Sequence, residues 1–84
     1  MEHCLLIARS VTQAQRMEKA LARAGIRAGV FRTPMELTDS HGCTYAVQIP
    51  QAALTESLTS IRGAGLNPVQ IFLSGPDGYR EVPS

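Results

Sequence analysis

The sequence predicts an α+β domain of the ferredoxin-like sandwich type, with one antiparallel sheet, two helices on one of its faces and an additional C-terminal β-hairpin. Three observations lead there. Short apolar runs of strand length are separated by two longer stretches with helical spacing of apolar residues. Glycines at 25 and at 63 and 65 close those stretches. The second and third strands follow each other with only a loop between them, giving the order β-α-β-β-α-β. Right-handed crossovers then put the first and third strands side by side at the centre of the sheet. With 84 residues there is room for one core, so a single domain spans 1–84.

Each element has its own signal. Cys4 to Ala8 is a bounded apolar run and reads as a buried strand. Ser10 can cap a helix, and Gln13 three positions on completes a capping-box pattern. Ala14, Met17, Ala20, Leu21 and Ala24 form the apolar face of that helix, and Gly25 stops it. Ile26 to Arg32 reads as a second strand, with Gly29 marking an edge strand or a bulge. Thr33-Pro34-Met35-Glu36 has the form of a one-turn helix start, and a polar loop from Thr38 to Gly42 follows.

Cys43 to Ile49 is the clearest strand. Cys43, Tyr45, Val47 and Ile49 share one face, and Thr44, Ala46 and Gln48 the other. Pro50 ends it. Leu54, Leu58 and Ile61 stripe the second helix. Asn67-Pro68 turns the chain into a fourth strand from Val69 to Leu73. Ser74 to Gly78 reads as a turn, after which Tyr79 to Val82 folds back as a short fifth strand. The face away from the helices is expected to carry Thr44, Ala46, Gln48, Gln70 and Phe72, a mixed surface on which two copies could meet.

Composition narrows the function. A net charge of +1 with four aromatic residues and no Trp gives no basic patch and no base-stacking platform, so nucleic acid is not an expected partner. No run approaches the ~20 apolar residues of a membrane helix, and the first nine residues lack the basic region of a secretory signal. A cytoplasmic location is expected, where the two cysteines would be free thiols. No carboxylate pair, phosphate loop or nucleophile elbow is present, which argues against an independent enzyme. His41-Gly42-Cys43 is too short for a structural zinc pair, and His3-Cys4 belongs at the other end of the sheet, so no metal is expected.

The chemistry that remains is sulfur. In the expected topology Cys4 and Cys43 begin antiparallel neighbouring strands and lie at opposite ends, roughly 15 Å apart at about 3.3 Å per residue. A disulfide needs Cα atoms within about 7 Å, so an internal bridge is not expected. Cys4 sits inside an apolar run and reads as packing. Cys43 follows a glycine and a polar loop and is expected beside Ala8-Arg9-Ser10, where the first helix begins. Unpaired N–H groups there favour negative charge, and Arg9 and His41 add to it, conditions that lower a thiol pKa. On pattern alone, a buried inert role for Cys43 is still the commoner fate of a free cysteine.

The chain resembles the selenium/sulfur carrier-like family of small bacterial domains. The similarity runs along nearly the whole length: a helix from Ser10 to Gly25 closing on Ala24-Gly25-Ile26, then Arg32-Thr33-Pro34, Gly42-Cys43 followed by Tyr45, and a second helix ending at Gly65-Leu66. Relatives carry a cysteine beside a glycine in this loop, a match that falls on Cys43. Thr44 departs from the small residue that many relatives have there. The resemblance implies a cysteine that takes sulfur or selenium as a persulfide or selenosulfide from a donor protein and yields it to an acceptor. Cys43 is then the reactive residue, Arg9, Ser10, His41 and Gly42 shape its pocket, and no dissociable cofactor is needed. The alternative is a small dimeric binding or regulatory module in which Cys43 only packs and the outer sheet face does the work.

Overall fold

An uninterrupted apolar strand has to be shielded on both faces, and the run from Cys4 to Ala8 is: no residue in it is more than 3 % exposed. A computed structural model describes residues 2–34 and 44–82. The elements are β1 (His3–Ala8), α1 (Val11–Arg23), β2 (Gly29–Arg32), β3 (Tyr45–Pro50), a 3-10 turn (Gln51–Ala53), α2 (Leu54–Gly63), β4 (Gln70–Gly75) and β5 (Gly78–Val82). The five strands form one antiparallel sheet in the order β2-β3-β1-β4-β5. β1 is central, with Ala8 opposite Tyr45 of β3 and His3 opposite both Pro50 of β3 and Ser74 of β4.

Alternation along the strands divides the apolar residues into two layers. Cys4, Leu6 and Ala8 of β1, Val47 and Ile49 of β3 and Ile71 of β4 face both helices and pack with Ala14, Met17 and Leu21 of α1 and Ile61 of α2. Leu5, Ile7, Ala46 and Phe72 form a second cluster on the opposite face. Ala46 and Phe72 were expected on that face as surface residues. They are 0 % and 8 % exposed, so the apolar side chain left partly open beside them is Phe31, opposite Ala46.

Both helices end in the same way. After α1, Gly25 adopts φ 76° and donates to the Ala22 carbonyl, while Ile26 N–H donates to Leu21. After α2, Gly65 adopts φ 79° and donates to Arg62, while Leu66 donates to Ile61. This paired closure satisfies carbonyls at the helix end and needs a left-handed residue that glycine supplies without strain. It also accounts for a difference from the expected bounds. Ile26 is held by α1 and buried under it, so β2 begins at Gly29 rather than Ile26.

Other bounds shift for equally local reasons. β3 begins at Tyr45, although Thr44 still accepts a hydrogen bond from Thr33 N–H at 3.2 Å; Cys43, the expected first residue, lies outside the described residues. Pro50 is the last residue of β3, and the 3-10 turn precedes α2. β4 runs on to Gly75, so the expected five-residue turn contracts to Pro76-Asp77, with Gly75 opposite Gly78 and Gly78 at φ 106°. Of the expected one-turn helix start from Thr33 to Glu36, Met35 and Glu36 lie outside the described residues. The Thr33 hydroxyl accepts from Thr44 Oγ1 at 2.8 Å.

Candidate functional site

The end of the sheet at which β1 stops and β3 starts collects four pieces of chain. β1 leads through Arg9 and Ser10 directly into α1. Ser10 has extended backbone geometry and its Oγ accepts from Gln13 N–H at 3.2 Å, the cap that a serine before a helix provides. Gln13 Oε1 in turn accepts from Arg9 N–H at 2.8 Å, one residue earlier than in the usual reciprocal box. Its other terminus, Nε2, donates to the Asn67 carbonyl at 3.1 Å. One side chain therefore ties the start of α1 to the connection between α2 and β4. Val69 N–H donates to Ile7 O at 2.8 Å and fixes the same connection to β1.

On the other side of β1, Ala8 faces Tyr45, and Arg32 faces Tyr45 from β2. The Thr33–Thr44 pair closes this corner with a backbone bond and a hydroxyl-to-hydroxyl bond, and Thr33 is buried. The first turn of α1 contains no acidic residue, so nothing on the helix itself offsets the positive end of its dipole. A negatively charged group beside this turn is stabilised.

Of the residues singled out from the sequence, Arg9 and Ser10 are placed here, both exposed. His41, Gly42 and Cys43 lie outside the described residues. Cys4 is a free, wholly buried thiol on the helix side of β1. Burial pushes its pKa up, and the negative charge of Glu2 adds to that. A thiol that neither meets solvent nor ionises readily is neither a good nucleophile nor a good metal ligand. Among the described residues no group of three or more His, Cys, Asp or Glu side chains is arranged to hold a metal ion. Also among them, no helix is long and apolar enough to cross a membrane.

Two contacts at this corner were not anticipated. The Gln13–Asn67 bond joins residues 54 apart and leaves no local trace in the sequence. The Thr33–Thr44 pair had a signal: one threonine at each border of the loop between β2 and β3, a cross-strand combination that favours hydroxyl bonding.

A family model described as "Putative Se/S carrier protein-like" matches residues 3–73. Searches of curated proteins and of solved structures each returned no match.

Proposed function

The chain belongs to the Putative Se/S carrier protein-like family, and on that premise we propose that it carries sulfur or selenium on Cys43 between a donor and an acceptor protein. The observation that carries this reading is the burial of the other thiol. The chain has two cysteines, and Cys4 is sealed in the core with its pKa raised. A carrier thiol has to meet the sulfur of a partner, which leaves Cys43.

The transfer needs no external oxidant or reductant. Cys43 thiolate attacks the terminal sulfur of a donor persulfide. The new Sγ–S bond forms as the donor S–S bond breaks, and the donor leaves as a thiolate. An acceptor nucleophile then attacks the outer sulfur and releases Cys43 thiolate. With selenium as cargo, the outer atom of the donor is selenium and the same bonds are exchanged. In this reading Cys43 lies beside the first turn of α1, which carries no acidic residue and so favours a thiolate, and Arg9, Ser10, His41 and Gly42 border the cargo atom. The reading has the chain work in the reducing cytoplasm as a shuttle rather than as an enzyme with turnover of its own. The central β1–β3 pair and the helices on one face support reading the domain as a ferredoxin-like sandwich with β5 added at one edge.

Incubation with a persulfide donor followed by peptide mass spectrometry tests the reading. The Cys43 peptide should gain one chalcogen atom, Cys4→Ala should load like the wild type, and Cys43→Ser should not load. Equal loading of Cys43→Ser overturns it. The dimeric-module alternative has less support, because Leu5 and Ile7 on the outer face are already buried within one chain.

A further inference from the structure

The far end of the sheet, where His3 faces Pro50, carries a second opening. A cleft of about 340 Å³ lies there, bordered by His3, Arg27, Gly29, Gln48, Ile49 and Pro50. That is the lower range of volumes that hold small organic molecules. The β1–β3 register places it five residue pairs away from the Ala8–Tyr45 corner.

We propose that this cleft binds a small monocarboxylic acid with an apolar body. Arg27 supplies a permanent positive charge and a planar fork of donors that matches a carboxylate. No acidic residue borders the cleft among the described residues. The acid nearest in sequence to His3, Glu2, borders a neighbouring opening with Pro50, Gln51 and Ala52 rather than this cleft. Its Oε1 lies 2.9 Å from where a Cβ on Gly75 would sit, on the β4 side of β1. Gln48 and His3 add hydrogen-bonding groups, while Ala28 and Pro50, both partly exposed, give apolar wall. One guanidinium matches one negative charge; a phosphate would call for more donors than these.

Gly29 is the second, independent observation. It lies opposite Gln48 on an edge strand, where glycine weakens pairing. Its backbone is not in the left-handed region, and a Cβ there would meet nothing within 4 Å. Neither backbone geometry nor packing requires glycine at this position. Its effect is to leave the cleft open beside Gln48.

The full-length protein is titrated with sodium benzoate and sodium butyrate and followed by amide NMR. Saturable shifts confined to residues 3, 27–29 and 48–50 are expected. Arg27→Gln should weaken binding about tenfold or more, and Gly29→Leu, which fills the space, should abolish it. Gly29→Val repeats the blocking test with a strand-favouring residue should the leucine variant fold poorly. Sodium phosphate at matched ionic strength should leave these residues unshifted. The proposal is overturned by non-saturable shifts, by equal binding in Arg27→Gln and the blocked variant, or by equal shifts with phosphate.

Discussion

Replacing Gln13 by alanine removes two hydrogen bonds at once, one that holds Arg9 at the end of β1 and one that holds Asn67 ahead of β4. Each such bond contributes about 0.5–1.5 kcal/mol net, and both are solvent-exposed, so the lower half of that range applies to each. The expected loss is about 1–2 kcal/mol, a fall in melting temperature of roughly 5–10 °C for a domain of this size. Gln13→Glu separates the two bonds. It keeps an acceptor for Arg9 N–H but cannot donate to the Asn67 carbonyl. Its charge gains about 0.3–1 kcal/mol at the helix start, so its stability should lie close to that of the wild type. Amide hydrogen exchange tells the variants apart. In Gln13→Ala, protection should fall at both Arg9 and Val69, whereas in Gln13→Glu it should fall at Val69 alone. A Gln13→Ala protein within about 0.3 kcal/mol of wild type, with unchanged exchange at both sites, would refute the idea that this side chain holds the corner together.

Two further outcomes concern the core. Ser57 is fully buried in α2 and its Oγ has no hydrogen-bond partner among the described residues. Ser57→Ala should stabilise the domain by about 1–2 kcal/mol in urea denaturation, since it removes an unsatisfied hydroxyl and improves helix propensity; a loss of that size would instead reveal a partner for Oγ. Burial, and secondarily Glu2, raises the Cys4 pKa. The folded chain therefore keeps its proton where the unfolded chain releases it. Stability from this group is fully present below the unfolded thiol value of about 8.5 and is lost as pH rises from there through the raised folded value. Cys4→Ala should flatten that alkaline limb of the stability profile, and an unchanged slope would assign it to another group.

Local signals were legible where a residue's role was set within a few neighbours. The Ser10 cap, the glycine closures at 25 and 65 and the alternation from Tyr45 to Ile49 all belong to that kind. The antiparallel sheet and its two helices followed from the order of those signals. Strand limits were less legible because tertiary contacts moved them: Ile26 was taken over by α1, and β4 and β5 extended until only Pro76-Asp77 remained between Gly75 and Gly78. The burial of Ala46 and Phe72 was hidden for a related reason. It depends on Leu5 and Ile7 of β1, neighbours that only the pairing register reveals. At the candidate site, Arg9 and Ser10 were readable as a strand end entering a helix, while Gln13's hold on Asn67 came from a partner distant in sequence.

The place of β1 in the sheet also governs how the molecule is made. Of the strands of this sheet it is made first, yet its two hydrogen-bonding neighbours end at Pro50 and Gly75. Until β3 has been synthesised, Leu5, Leu6 and Ile7 have no strand to pair with, and until β4 has followed one edge of β1 stays open. Closing such distant pairs slows folding, and the waiting apolar strand is the segment most open to capture by another nascent chain. Productive folding is thus postponed until β4 has emerged, and a chaperone that shelters the first eight residues would raise the yield more than one acting on either helix.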